Sequence, residues 1–232
     1  MSSDQNENLL ARYRELLGSN PEMFDNPADG PIKLLFEEEE IKKAQRDARA
    51  LRKDLGWPTG DLRVGVLAED PYIGFVIRDA VQFSDGNLGL YNRVVASGGV
   101  VVLPILPDGG IALIRIFRHP ARRWFLEAPQ GFILPGAIPA EEARRELMEE
   151  IGAVANELIS LGVVYTSTAL TSENLKMFAA KISDFGDPQR SEGIESIHTI
   201  ANEDIDHLLL DGGITDGPTM SLILRARIHG LL

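Results

Sequence analysis

The chain has no cysteine among its 232 residues, which removes disulfides, thiol nucleophiles and zinc-thiolate centres from consideration. The absence is compatible with a cytoplasmic protein. Basic residues are also in short supply: 23 Lys and Arg face 35 Asp and Glu, a formal net charge of −12. A field of that sign opposes nonspecific binding to nucleic acid or anionic lipid, so neither is expected as a partner. Long hydrophobic runs are missing too. The longest, near residues 100–106, falls far short of the roughly 20 apolar residues that a spanning helix needs, and the polar, acidic start of the chain lacks the apolar stretch of a secretory signal. The four histidines are scattered and set up no cluster. What is present, 44% hydrophobic and 25% charged residues, suffices for a substantial core.

Chemistry concentrates in one segment. Arg145, Glu146, Leu147, Met148, Glu149, Glu150, Ile151 and Gly152 follow one another on what the pattern makes a helix. At helical pitch Glu146, Glu149 and Glu150 fall at i, i+3 and i+4, with Glu142 one turn earlier, so carboxylates crowd one face. In water that costs only about 0.2–0.5 kcal/mol per pair, and a solvated acidic face is the ordinary reading. A divalent cation would turn the crowding into attraction, and hard oxygen ligands suit magnesium or manganese. The preceding stretch from Glu127 through Ala128, Pro129, Gln130 and Gly131 to Gly136 favours the second reading, because two prolines and two glycines make a stiff bend whose backbone can approach a ligand closely.

These residues resemble the Nudix box. Gly131, Arg145-Glu146, Leu147, Glu149-Glu150 and Gly152 match its pattern in register, with one departure: Ala137 stands where the box has its first glutamate. That glutamate is mainly structural in the family and pairs with the arginine that is Arg145 here, so Glu141 or Glu142 is expected to replace it. Weaker signals extend the resemblance to the ADP-ribose pyrophosphatase branch from about residue 62 onward: Asp79, the Asp85-Gly86 turn, Tyr91-Asn92-Arg93, Phe117-Arg118, Glu127 with Pro129-Gln130-Gly131, and Ile214-Thr215-Asp216.

The resemblance implies an α/β fold, the Nudix α/β/α sandwich with a mixed sheet, and a dimer. It implies Glu146, Glu150 and the Gln130 carbonyl as ligands of Mg2+ or Mn2+, with Glu149 a catalytic group that either ligates as well or supports the ligands. The segment of residues 191–197, read as a loop, offers two carboxylates: Glu192 as general base and Glu195 as a further metal ligand, with Glu173 as rival base. Arg118 and Glu127 are the expected substrate-binding residues. Arg115, Arg122 and Arg123 read as surface pairs, and Trp124 reads as buried packing rather than a stacking platform. The implied reaction is hydrolysis of a nucleoside diphosphate linked to another moiety, such as ADP-ribose or another nucleotide sugar; the alternative, resting on Ala137, is a non-catalytic module that binds such a metabolite.

Residues 1–60 read as a helical extension and residues 61–232 as the Nudix domain. Apolar stripes predict helices ending near Gly18 and Gly56. Strands are expected over residues 63–67, 72–83, 88–95, 100–106, 111–117, 158–165 and 175–182, the pair at 100–117 turning through Asp108-Gly109-Gly110, with helices over 203–210 and 218–229.

Overall fold

The computed structural model describes residues 3–134, 136–187 and 193–232, with side chains from residue 8 onward. It divides into two compact units, Met1–Ala96 with Ser167–Ser172, and Ser97–Thr166 with Glu173–Leu232. The division therefore falls at residue 96 rather than at the expected residue 60. The reason lies in strand pairing: the strands before residue 96 close on each other and on the N-terminal helices.

The first unit comprises α1 (Ser3–Ser19), β1 (Lys33–Leu35), α2 (Glu38–Asp54), β2 (Gly65–Asp70), β3 (Gly74–Gln82) and β4 (Leu88–Val95). Its start is thus helical but carries β1 as well, which sequence reading missed because three residues show no period. β3 is the hub. β4 pairs antiparallel with it from Phe75 to Gln82, β2 pairs with its first half, and β1 with its last three residues. Tyr13, Leu16, Phe24, Val66 and Ile77 form one apolar cluster, and Leu35, Ile41, Ala44, Val64 and Ala80 another. Through the first runs a polar tie: buried Asp79 accepts a 2.7 Å bond from the Tyr13 hydroxyl and another from Arg93 Nε, while Arg93 also donates to the Met23 carbonyl. Burial, together with the Asp79 charge, pushes the Tyr13 phenol far above its ordinary range, so it stays a donor. The acidic run at α2 is a solvated first turn, with Glu38 and Glu39 both on Lys42.

The second unit contains β5 (Gly99–Ile105), β6 (Ile111–Arg118), β7 (Arg123–Glu127), β8 (Gln130–Phe132), α3 (Pro139–Ile151), β9 (Ala155–Tyr165), β10 (Asn174–Ile182), β11 (Ile194–Ile200), α4 (Ile205–Leu210) and α5 (Gly217–Ile228). The sheet runs β11-β6-β5-β10-β9, with β7 on β6 and β8 on β5. β5 and β10 are parallel and the other pairs antiparallel, so the sheet is mixed. Both central strands are buried on both faces, and their two-residue period divides them cleanly. Val101, Leu103, Met177 and Ala179 join Leu222, Ile223 and Ala226 of α5. Val100, Val102, Phe178 and Ala180 join Ala143, Leu147 and Ile151 of α3. Each wholly buried aliphatic side chain contributes about 1.5–3 kcal/mol, and together the two layers make the α/β/α sandwich. Gly152 ends α3 in the left-handed conformation, φ 63°. Among the described residues no helix is long and apolar enough to cross a membrane.

Candidate active site

The bend between β7 and β8 faces the acidic side of α3. Register fixes it: Gln130 pairs with Val101 and Gly131 with Val100, while Val102 N–H donates to the Pro129 carbonyl at 2.9 Å. From the helix, Glu146 and Glu150 turn inward and are only 6% and 2% exposed. Glu150 Oε2 accepts the Gln130 backbone N–H at 3.0 Å. A Cβ at Gly131 would overlap the Glu146 carboxylate, so glycine here leaves that side chain the room to reach the bend.

Arg145 lies across the outer side of this face. It donates to Glu142 at 2.7 and 3.0 Å and also pairs with Glu146 and Glu149. Glu142 thus supplies the anchor that Ala137 lacks. These contacts hold the guanidinium above its ordinary pKa, the Glu142 hydrogen bond contributing most. Glu149 stays on the surface, its side chain 43% exposed.

On the other side of the bend, Glu127 is 2% exposed and accepts bonds from Arg118 Nε and Gln130 Nε2, each at 2.8 Å. Burial pushes its carboxyl pKa up against the opposing pull of Arg118. Beside them opens a cavity of about 440 Å3 whose lining includes Arg118, Gln130, Gly131, Phe132, Glu173 and Asp216. Glu173 accepts the Thr166 hydroxyl at 2.6 Å there.

The structure therefore brings together Gln130, Glu146 and Glu150, and sets Arg118 and Glu127 next to them. It places Glu195 differently from expectation: Glu195 lies on β11, a strand rather than a loop, and pairs with Arg115 of β6. Among the described residues no three Asp, Glu or His side chains gather as a metal cage. Glu192 lies outside the described residues. Trp124 corrects another expectation: it is 42% exposed, with Arg115 over its ring at 4.4 Å and Phe117 against it edge to face. Sequence reading also missed Thr219, which bonds Asp216 and the Ala128 N–H; its only signal was an Asp followed three residues later by a Thr at a helix start.

Two buried carboxylates beside a backbone bend form an all-oxygen donor set. Magnesium commonly takes one or two carboxylates and leaves its remaining positions to water and substrate phosphate, so the residues present suit a hard divalent cation without a third acid.

The NUDIX domain family profile matches residues 97–200. The chain is 32% identical over 156 residues to a GDP-mannose pyrophosphatase of Yersinia enterocolitica, covering 62% of this chain and 78% of that protein. It is 33% identical over 101 residues to an ADP-ribose pyrophosphatase of Bacillus subtilis, 44% of this chain and 55% of that one, so the match spans about half of that relative's length. A crystal structure of an ADP compounds hydrolase superposes with a TM-score of 0.62 at 25% identity, over 72% of this chain and 91% of the other.

Proposed function

The chain belongs to the Nudix family, and on that premise we propose that it hydrolyses the pyrophosphate bond of a nucleoside diphosphate linked to a sugar, with ADP-ribose the foremost substrate. The observation that carries this reading is the buried Glu146 and Glu150 pair closed on the Gln130-Gly131 backbone beside the Arg118 cavity. Burying two like-charged carboxylates side by side is costly unless positive charge meets them. Arg145 meets Glu146 from outside. Glu146, Glu150 and the Gln130 carbonyl would hold Mg2+ or Mn2+.

When bound, such a cation neutralises charge on the phosphates and lowers the pKa of attacking water. The chain's own residues do the rest. Arg118, kept in place by Glu127, offers a guanidinium to a phosphate oxygen. Glu149 supports the carboxylate face through Arg145. Glu192 takes the proton from water as it attacks phosphorus; Glu173, on the cavity wall, is the rival for that role. The bridging P–O bond breaks, giving a nucleoside monophosphate and a sugar phosphate. Glu195 is proposed as a further ligand, which requires it to leave Arg115. Similarity to the two pyrophosphatases supports the substrate class. The reading includes a cytoplasmic homodimer, which sedimentation of the full chain would test.

The test is release of monophosphate from ADP-ribose, GDP-mannose and dinucleotides with Mg2+ or Mn2+, comparing wild type with Glu150→Gln, Glu192→Gln and Glu173→Gln. Metal-dependent turnover that falls at least about a hundredfold in Glu150→Gln is expected, and the deeper loss between the other two identifies the base. Metabolite binding without turnover would instead support the non-catalytic reading that Ala137 suggests, against which the Glu142 anchor on Arg145 argues.

A further inference from the structure

We propose that Thr219 is a positioning residue for this site: its hydroxyl fixes the bend that presents Gln130 to Glu150. The inference rests on the proposed hydrolase reading. β7 ends at Glu127 and β8 begins at Gln130, so residues 128 and 129 lie outside both ladders. Pro129 has no N–H, which leaves Ala128 the single backbone donor of the bend. Ala128 is fully buried, and that donor goes to Thr219 Oγ1 at 2.9 Å. Thr219 is itself fully buried in the first turn of α5, and its hydroxyl proton goes to Asp216 Oδ2 at 2.6 Å. The chain of contacts runs Asp216, Thr219, Ala128, then through the bend to Gln130 and Glu150.

Helix capping explains only part of this. Asp216 already caps α5 by accepting the Thr219 N–H at 2.9 Å, and that bond needs no hydroxyl at position 219. The hydroxyl is oriented by a carboxylate, so its lone pairs are left for Ala128. Asp216 also lines the cavity, so the same residue that borders the ligand space sets the donor direction of Thr219. Removing the hydroxyl leaves the Ala128 N–H without its partner and frees the bend to shift, which the positioning of reacting groups does not tolerate.

The experiment compares wild type, Thr219→Val and Thr219→Ser, each confirmed folded by thermal melting. Three readouts are kcat and KM for ADP-ribose at saturating Mg2+, the Mg2+-induced shift of the melting midpoint without substrate, and amide hydrogen exchange of the metal-free protein. Thr219→Val should lower kcat by about tenfold or more with KM changed less than about twofold. It should also reduce the Mg2+ shift and speed exchange at Ala128 and Gln130 while the α3 amides keep their rates. Thr219→Ser should restore kcat to within about threefold of wild type. A folded Thr219→Val with wild-type kcat and exchange overturns the proposal, as does a loss that serine fails to restore. Should the valine variant not fold, Asp216→Asn serves, since it keeps the cap but weakens the charge-assisted bond to the hydroxyl. A fall in kcat then supports the role, whereas a rise in KM at constant kcat places Asp216 on substrate and overturns it. Absence of turnover in wild type would reject the hydrolase reading alone, because exchange and the Mg2+ shift still decide the positioning role.

Discussion

At Gly131 one hydrogen occupies the place where a methyl group would overlap the Glu146 carboxylate. Gly131→Ala must therefore push α3 and β8 apart or turn Glu146 out of the site. Overpacking of this kind costs about 1–3 kcal/mol, but displacing a carboxylate by an ångström costs far more in rate. The expected result is a folded protein with a modestly lower melting midpoint and turnover reduced about a hundredfold, measured at saturating Mg2+. At Asp61 the prediction concerns pH. The Arg63 side chain, hydrogen-bonded at 2.9 and 2.7 Å, holds the Asp61 carboxyl down from 3.8 to about 2. A depressed folded-state pKa means that the unfolded chain takes up the proton first as pH falls. The stabilisation is thus complete above the ordinary carboxylate range and is lost as pH drops through about 2. Asp61→Asn should lower the melting midpoint at neutral pH, and the difference should vanish in strong acid. Because the Asp61 side chain is 41% exposed, the effect should stay below about 1 kcal/mol and shrink in high salt.

Elements were legible where their period was long and their burial uniform. β4 spans the expected residues, β5, β6 and β10 lie within a residue at each end, and α3 carries the box where expected. β7 and β8 escaped notice because they are short pieces around a proline, given strand form by β6 and β5 rather than by their own pattern. β11 was read as a loop since its acidic, serine-bearing start masks the alternation that pairing with β6 reveals. The site was half legible: carboxylate spacing on α3 is a helical property, whereas the approach of Gly131 to Glu146 and of Thr219 to Ala128 joins residues far apart in the chain, which no local period encodes. The tie between α1 and β3 is of the same non-local kind and gives a stability prediction. Tyr13→Phe leaves buried Asp79 with Arg93 but without the 2.7 Å hydroxyl bond. Leaving that acceptor short should cost about 1–3 kcal/mol in denaturant unfolding, with an unchanged m-value. A wild-type midpoint would mean that the tie contributes nothing net.

For the whole molecule, the net charge of −12 acts against its proposed substrate. A nucleotide sugar carries negative charge on its diphosphate, so long-range repulsion slows encounter, while Arg118 and a bound cation attract only at short range. Salt separates the two. The screening length falls from about 30 Å at 10 mM to about 8 Å at 150 mM, which quenches the distant field but leaves contacts of a few ångströms much less affected. At fixed free Mg2+, kcat/KM for ADP-ribose should therefore rise about two- to fivefold over that range before declining at higher salt. The reverse, a steady fall from the lowest salt, would mean that the cationic groups around the cavity already dominate the approach path. In that case Arg118→Gln should abolish the salt dependence as well as raise KM, because the Arg118 guanidinium on the cavity wall would then be both the steering charge and the phosphate contact.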